Sequence, residues 1–296
     1  MKSASHCLLE SRRVLTGFVG VLLLLAVLAS LLLTQAWPWL GMLLSTVLIA
    51  AAAVAVAVRS VNLAQRRTQA ALRRELASHV DAIYGCLEAR HALERELGPN
   101  IVLPPMRGPV ISPDAAWRLY QHTITHRPET VVEFGSGVST LLIAHALERN
   151  GNGTLISLDH EPRFAKATET LLQPHNLEHR VKIHCAPLRS HRTLDGLCEL
   201  YYDTTPLEAI EAVDLVLVDG PPRTLDPYIR DLALPVMAPR MSTGGTLFLD
   251  DASRPGEQAI LQRWRSAWPD FEFDYLPLDT GLAVVRKPAT ERRDEP

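Results

Sequence analysis

Apolar positions fall into two textures along this chain. The first is continuous. Val14–Leu33 runs 20 residues without a charge, and Leu40–Val58 runs another 19. A helix crosses the hydrocarbon core of a bilayer with about 20 apolar residues, so each run predicts one span. Thr34-Gln35-Ala36-Trp37-Pro38-Trp39 joins them, and two tryptophans beside a proline suit a turn at the membrane interface. A cleaved signal peptide has a shorter apolar region and no second span directly behind it. Residues 14–58 therefore read as a transmembrane hairpin, with spans 14–33 and 40–58. Lys2, Arg12 and Arg13 precede it, and Arg59, Arg66, Arg67, Arg73 and Arg74 follow it. The connecting loop has no cation. Residues 1–13 and the whole chain after the hairpin are expected on the cytoplasmic side of a cell (inner) membrane, as a multi-pass protein. The arginines after the second span can also meet anionic lipid.

The second texture is periodic. Residues 59–98 contain no proline, and Leu72, Leu76, Val80, Ile83 and Leu87 recur every three or four residues as one apolar stripe. This predicts a connecting amphipathic helix. Its stripe serves either a homodimer through residues 59–97 or packing on the domain that follows. Gly98-Pro99-Asn100 ends it.

From 99 to 288 short apolar runs alternate with amphipathic helices. Ser112-Pro113-Asp114 opens a helix that reaches about His126. Strands are expected at Thr130–Phe134, Thr154–Leu158, Arg180–Cys185, Val213–Val218 and Thr246–Leu249. Helices are expected at Val138–Arg149, Pro162–Leu172 and Glu257–Ala267. Phe271–Tyr275 and Leu282–Val285 follow with no helix between them, so they should pair antiparallel. Repeated strand–helix units give an α/β, doubly wound Rossmann-like parallel sheet, here with an antiparallel C-terminal hairpin. Residues 289–296 are a polar tail.

Composition narrows the picture. A net charge of −3 gives no basic field for nucleic acid. Cys7, Cys86, Cys185 and Cys198 show no metal-type or disulfide-dense spacing and read as reduced thiols. Asn152-Gly153-Thr154 fits a helix-to-strand turn better than a glycosylation site.

The chemistry concentrates at the C-terminal ends of the expected strands, where open α/β sheets bind ligands. Val131-Val132-Glu133-Phe134-Gly135-Ser136-Gly137-Val138-Ser139-Thr140 is a strand, a glycine turn and a helix start. Asp159, Asp219 and Asp250-Asp251 end further strands. Helix capping explains any one such acid, but four strands ending this way need more. The acid before the glycines disfavours a phosphate ligand and suits one bearing an amine or hydroxyls.

These residues resemble the class I S-adenosylmethionine (SAM)-dependent methyltransferases over about residues 110–287, and the Gly-Ser-Gly-Val-Ser-Thr form is similar to a bacterial subgroup. The resemblance implies a methyltransferase whose cofactor is held by Glu133, Gly135, Ser136, Gly137, Ser139, Thr140, Asp159 and His160. In this family the glycine turn lies beside the methionine part, the Glu133 position meets the ammonium, and Asp159 grips the ribose hydroxyls. A third glycine common in the family is Ser139 here. The dehydrogenase pattern Gly-x-Gly-x-x-Gly is absent, since position 140 is Thr. Asp219, Asp250 and Asp251 resemble the magnesium site of catechol-type O-methyltransferases, with Asp251 where that family has Asn. Pro222 and Arg223 stand where it has a basic lysine, and Arg cannot act as a base near neutral pH. The Asp-Gly-Pro and Asp-x-x-Arg-x-x-Glu segments are also similar to the glucuronic acid 4-O-methyltransferases of plant glycans.

The expected reaction is methylation of an oxygen on a small-molecule, glycan or lipid-linked acceptor. Asp219 and Asp250 would take the proton or, with Asp251, hold Mg2+ or another divalent cation. Arg254 meets either an acidic substrate group or Glu257. Tyr201-Tyr202-Asp203 either lines the acceptor pocket through Tyr202 or serves as core aromatics and a cap. Two rival functions stay open. One is an aminopropyltransferase-like enzyme of the same fold; the other is a non-catalytic, membrane-tethered cofactor-binding or scaffold protein.

Overall fold

Helix α1 (Pro38–Leu97) is one uninterrupted 60-residue element. It is part of a computed structural model that describes residues 37–289 except 100, 109 and 193–197, together with 21, 24–29 and 31–32. The chain divides into two compact units, Met1–Ser78 and His79–Pro296. In the first unit, the described residues from 21 to 32 are helical. Among the described residues, α1 alone is long and apolar enough to cross a bilayer, with a mean hydropathy of 2.4 over its best 18 residues. The span expected at 14–33 lies mostly outside the described residues, as do residues 1–13 and 290–296. A two-helix hairpin is therefore not part of the described architecture. The helix also does not stop at Val58. No proline or turn residue interrupts it there, so the expected span and the expected connecting helix are continuous.

The second unit begins within α1, at His79. Leu93 and Leu97 are buried in the domain's core, and Arg90 donates to the carbonyls of Leu103 and Pro104. The stripe from Leu72 to Leu87 stays exposed; Leu76 and Leu87 are 56 and 57 % exposed.

The remaining elements are α2 (Pro113–His126), β1 (Thr130–Phe134), α3 (Val138–Asn150), β2 (Thr154–Asp159), α4 (Pro162–Leu172), β3 (Val181–Cys185), β4 (Leu188–Arg192), β5 (Cys198–Tyr202), β6 (Val213–Val218), α5 (Ala233–Met237), β7 (Met241–Asp250), α6 (Pro255–Ala267), β8 (Glu272–Leu276) and β9 (Leu282–Arg286). The seven-stranded sheet has the order β3-β2-β1-β6-β7-β9-β8. β1, β2, β3, β6 and β7 run parallel, and β9 pairs antiparallel with both β7 and β8. Strand order reverses between β1 and β6, and this opens a crevice at their C-terminal ends.

Alternate side chains on each strand enter opposite cores, as a period of two requires. Val131, Leu215 and Leu217 pack with α2 and α3. Val132, Phe134, Val216 and Val218 pack with Tyr201, Trp264 and Met237. Two details differ from the sequence reading. β7 begins at Met241, so Gly244-Gly245 lies inside a strand whose pairing with β6 is irregular between Val213 and Leu215. β4 and β5 form a separate antiparallel ribbon, which the polar run Arg189-Ser190-His191-Arg192 does not announce by alternation. Asn152-Gly153-Thr154 is a helix-to-strand turn; Gly153 has φ +93° and no room for a Cβ against the Pro128 carbonyl. Cys86 and Cys185 are free thiols.

Candidate active site

The turn after β1 is built on Gly135, whose φ is +98°. A Cβ there would lie 2.9 Å from the Asp219 carbonyl oxygen, so glycine is needed both for the dihedral and for the close approach to the end of β6. Behind the turn, the Gly137 N–H donates to Thr140 Oγ1 at 2.9 Å, and Thr140 Oγ1 donates to Glu133 Oε2 at 2.6 Å. Ser157 Oγ donates to the same oxygen at 2.7 Å. Glu133 Oε1 is buried without a partner. Burial pushes the Glu133 carboxyl up to about 7, against the lowering effect of the neighbouring hydroxyls. The structure thus places Glu133, Ser139 and Thr140 beneath the turn, fully or almost fully buried. Glu133 supports the turn through Thr140 and is not among the residues that line the neighbouring cleft.

In front of the turn is a cleft of about 330 Å³ lined by Gly135, Ser136, Asp159, His160, Phe164, Tyr202, Asp219, Arg223, Arg230, Asp250, Asp251, Arg254 and others. Asp159 Oδ2 accepts from the Ser136 N–H at 3.0 Å and from Ser136 Oγ at 2.7 Å, and its Oδ1 accepts from the Glu161 N–H. The carboxylate is thereby locked, with acceptor capacity left at Oδ1. His160 Nδ1 lies 3.7 Å from Asp159 Oδ1 and is buried without a hydrogen bond. Tyr202 is fully buried at the cleft floor, and a Cβ on Gly220 would strike its hydroxyl at 2.3 Å. Tyr201 belongs to the core, and Asp203 accepts from the Thr205 N–H and hydroxyl. Core, pocket and cap readings of this tripeptide thus each apply to a different residue.

Across the cleft stand Asp219 at the end of β6 and Asp250-Asp251 at the end of β7. Each offers one oxygen, and the three atoms lie within 4.8 Å of one another. Burial first and the Asp250 charge second raise Asp219 well above the ordinary carboxylate range. Burial first and Asp251 second push Asp250 up to about 6. Thr280 Oγ1 donates to Asp250 Oδ1 at 3.1 Å. Asp251 adopts a left-handed φ of +61°.

The residue that sequence reasoning missed is Arg230. Its guanidinium is 4 % exposed and reaches Asp251 Oδ2 at 3.2 Å, Asp219 Oδ1 at 3.5 Å and Glu257 Oε1 at 3.9 Å. It also donates to the carbonyls of Pro221 at 3.3 Å and Asp250 at 3.1 Å. Burial opposes its charge, but the surrounding carboxylates outweigh that and raise its pKa. Nothing in the spacing of an arginine eleven residues beyond Asp219 distinguishes it from a surface cation. Arg254 pairs with Asp251 and lies 4.0 Å from Glu257, so it has internal partners as well as a place in the cleft. Of the residues expected to hold a cofactor, the cleft brings together Gly135, Ser136, Asp159 and His160. Of the acceptor-side residues it collects Asp219, Asp250, Asp251, Arg254 and Tyr202.

A family model described as "Methyltransferase domain" matches residues 132–252. This span holds the glycine turn, Asp159, Asp219, Arg230, Asp250 and Asp251. No curated protein matches the chain. Similar solved structures include a Geobacter sulfurreducens methyltransferase, at 16 % identity over 69 % of this chain and 88 % of that one, with a TM-score of 0.45. An SAH-bound methyltransferase of Podospora anserina is 15 % identical over 72 % and 95 % of the two chains, with a TM-score of 0.48. An O-methyltransferase from Bacillus cereus in complex with SAH is 17 % identical over 70 % and 90 %, with a TM-score of 0.46. The family-model match spans the cleft-forming segment, so residues 132–252 are similar to a methyltransferase domain.

Proposed function

We propose that the protein is a SAM-dependent O-methyltransferase held at a membrane by the apolar part of α1. The observation that carries the catalytic part is the cleft itself. It sets the Gly135 turn and Asp159 on one wall and Asp219 with Asp250 on the other. Gly135 and Ser136 let the cofactor's methionine end approach the backbone. Asp159 accepts from its ribose hydroxyls. The cofactor would supply an electrophilic methyl on a sulfonium, which an acceptor hydroxyl would take as the carbon–sulfur bond breaks and its electron pair stays on sulfur. Asp219 and Asp250 stand on the opposite wall of the cleft to receive the proton. The hydroxyl proton passes to Asp250 or Asp219. A carboxyl pushed up to about 6 is a better base near neutral pH than an ordinary one. Alignment of the two reactants supplies much of the acceleration.

The donor set also suits a divalent cation. Asp219, Asp250 and Asp251 would hold it through oxygens that already converge. Such an ion lowers the pKa of a bound acceptor hydroxyl. Full activity in chelator would remove the metal from this account.

The acceptor class supported by a membrane tether is a small molecule, glycan or lipid-linked compound on the cytoplasmic face. The test is calorimetry of the full chain with SAM and S-adenosylhomocysteine, followed by transfer of labelled methyl to membrane and soluble extracts. Binding followed by a methylated product supports the proposal. Binding without transfer favours a non-catalytic tethered protein, and a transferred aminopropyl group favours the aminopropyltransferase-like enzyme.

A further inference from the structure

The acids at the ends of β6 and β7 and in the first turn of α6 outnumber the cations that serve them. Asp219, Asp250, Asp251 and Glu257 are four carboxylates, served by Arg230 and Arg254. The two guanidiniums are not equivalent. The Arg254 side chain is 35 % exposed and solvent screens it, whereas the Arg230 side chain is 4 % exposed and sits among the acids. Arg230 is also fixed by two backbone carbonyls, one in the loop after β6 and one at the end of β7. Its charge is therefore held in one place at low local dielectric, where a unit charge acts most strongly on its surroundings.

On the reading that the cleft takes SAM, we propose that Arg230 is a specificity-determining residue that sets how strongly the site prefers the cationic cofactor over its neutral product. SAM and S-adenosylhomocysteine share every group except the methyl, and the sulfur is charged only in the first. The field at the sulfur therefore decides between them. Without Arg230, the acids that stay ionised would face one half-solvated cation, and the site would grip the sulfonium tightly in the ground state. Transfer discharges that sulfonium, so this extra grip is lost on the way to the transition state and slows the reaction. The same excess of negative charge would repel an acceptor oxygen that is giving up its proton. Arg230 trims the surplus while its fork keeps Asp219 and Asp251 in place, which a lysine does with less geometric control.

The test is calorimetry of the full chain in detergent micelles with chelator, comparing both ligands in wild type, Arg230→Lys, Arg230→Met and Arg254→Gln. The readout is the ratio of the product Kd to the cofactor Kd. A purely structural role weakens both ligands together and leaves this ratio unchanged. Arg230→Met should raise it by at least about threefold, Arg254→Gln should move it the same way by less, and Arg230→Lys should hold it near wild type. Asp251→Asn, which removes the carboxylate paired with both guanidiniums, should lower it, and with Arg254→Gln it carries the test if Arg230→Met fails to fold. An unchanged ratio in the charge-removing variants overturns the proposal. So does an Arg230→Lys shift as large as that of Arg230→Met. Failure of both ligands to bind wild type overturns the cofactor reading beneath it as well.

Discussion

Replacing Glu133 by glutamine should make the domain more stable at alkaline pH. The carboxyl is fully buried, with hydroxyl donors on Oε2 and none on Oε1. Its pKa rises from 4.5 to about 7, chiefly through burial. A folded-state pKa above the unfolded one means that the stability contribution is complete below about pH 4.5 and is lost as pH rises through about 7. At 1.36 kcal/mol per unit, the ionised group costs the fold on the order of 3 kcal/mol at pH 8. Glutamine keeps the two accepted bonds and cannot ionise, but it leaves an amide donor unmatched, which costs about 1–3 kcal/mol. The variant should therefore equal or exceed wild type by up to about 2 kcal/mol at pH 8 and fall below it at pH 5. The assay is denaturant unfolding of the full chain in micelles across this range, followed by tryptophan fluorescence. Asp219 and Asp250 add slopes of the same sign, and His122, lowered to about 4 by burial, adds one of the opposite sign. Taking the difference between variant and wild type removes all three. Parallel pH profiles for the two proteins would refute the reasoning.

Three other outcomes follow from the same structure. Gly135→Ala places a Cβ against the Asp219 carbonyl at a positive φ; strain of about 1–3 kcal/mol should weaken SAM binding roughly tenfold or more by calorimetry. Asp250→Asn should leave SAM affinity within a few-fold but lower methyl transfer by about 10²–10⁴, while wild-type activity climbs as pH rises through about 6. Leu93→Ala, at a fully buried position in the last turns of α1, should destabilise the second unit by about 2–5 kcal/mol in the same unfolding assay, marking where the domain begins.

The strand ends were legible because chemistry and pattern coincide there. Leu215–Val218 is an unbroken apolar run followed by Asp219, and it lies in β6 (Val213–Val218) as expected. The antiparallel end of the sheet was readable from two strands with no helix between them. Two kinds of information were not legible. Depth was one: Glu133 and Asp159 both stand at the C-terminal ends of their strands, yet only Asp159 lines the cleft. That difference depends on which hydroxyls surround each carboxylate, and Thr140, Ser157 and Ser136 lie 7, 24 and 23 residues from their partners. Long-range charge pairing was the other. Arg230 comes from an irregular loop with no periodicity, so nothing local ties it to Asp251, 21 residues on. The burial of Leu93 and Leu97 was not legible either, since an apolar stripe does not say which of its members finds a partner.

In the proposed function one cleft joins a sulfonium cofactor to an acid pair that accepts a proton. Its most direct test is a single experiment on the full chain. Labelled SAM is supplied with membrane extract, and wild type is compared with Asp219→Asn/Asp250→Asn after both are shown by calorimetry to bind SAM. Wild type should give a labelled methyl ether, and the double variant should lose at least about a hundredfold in transfer when saturated with SAM, whatever modest fall in cofactor affinity the lost charge brings. Undiminished transfer by the double variant would contradict it, as would the absence of SAM binding by the folded wild type.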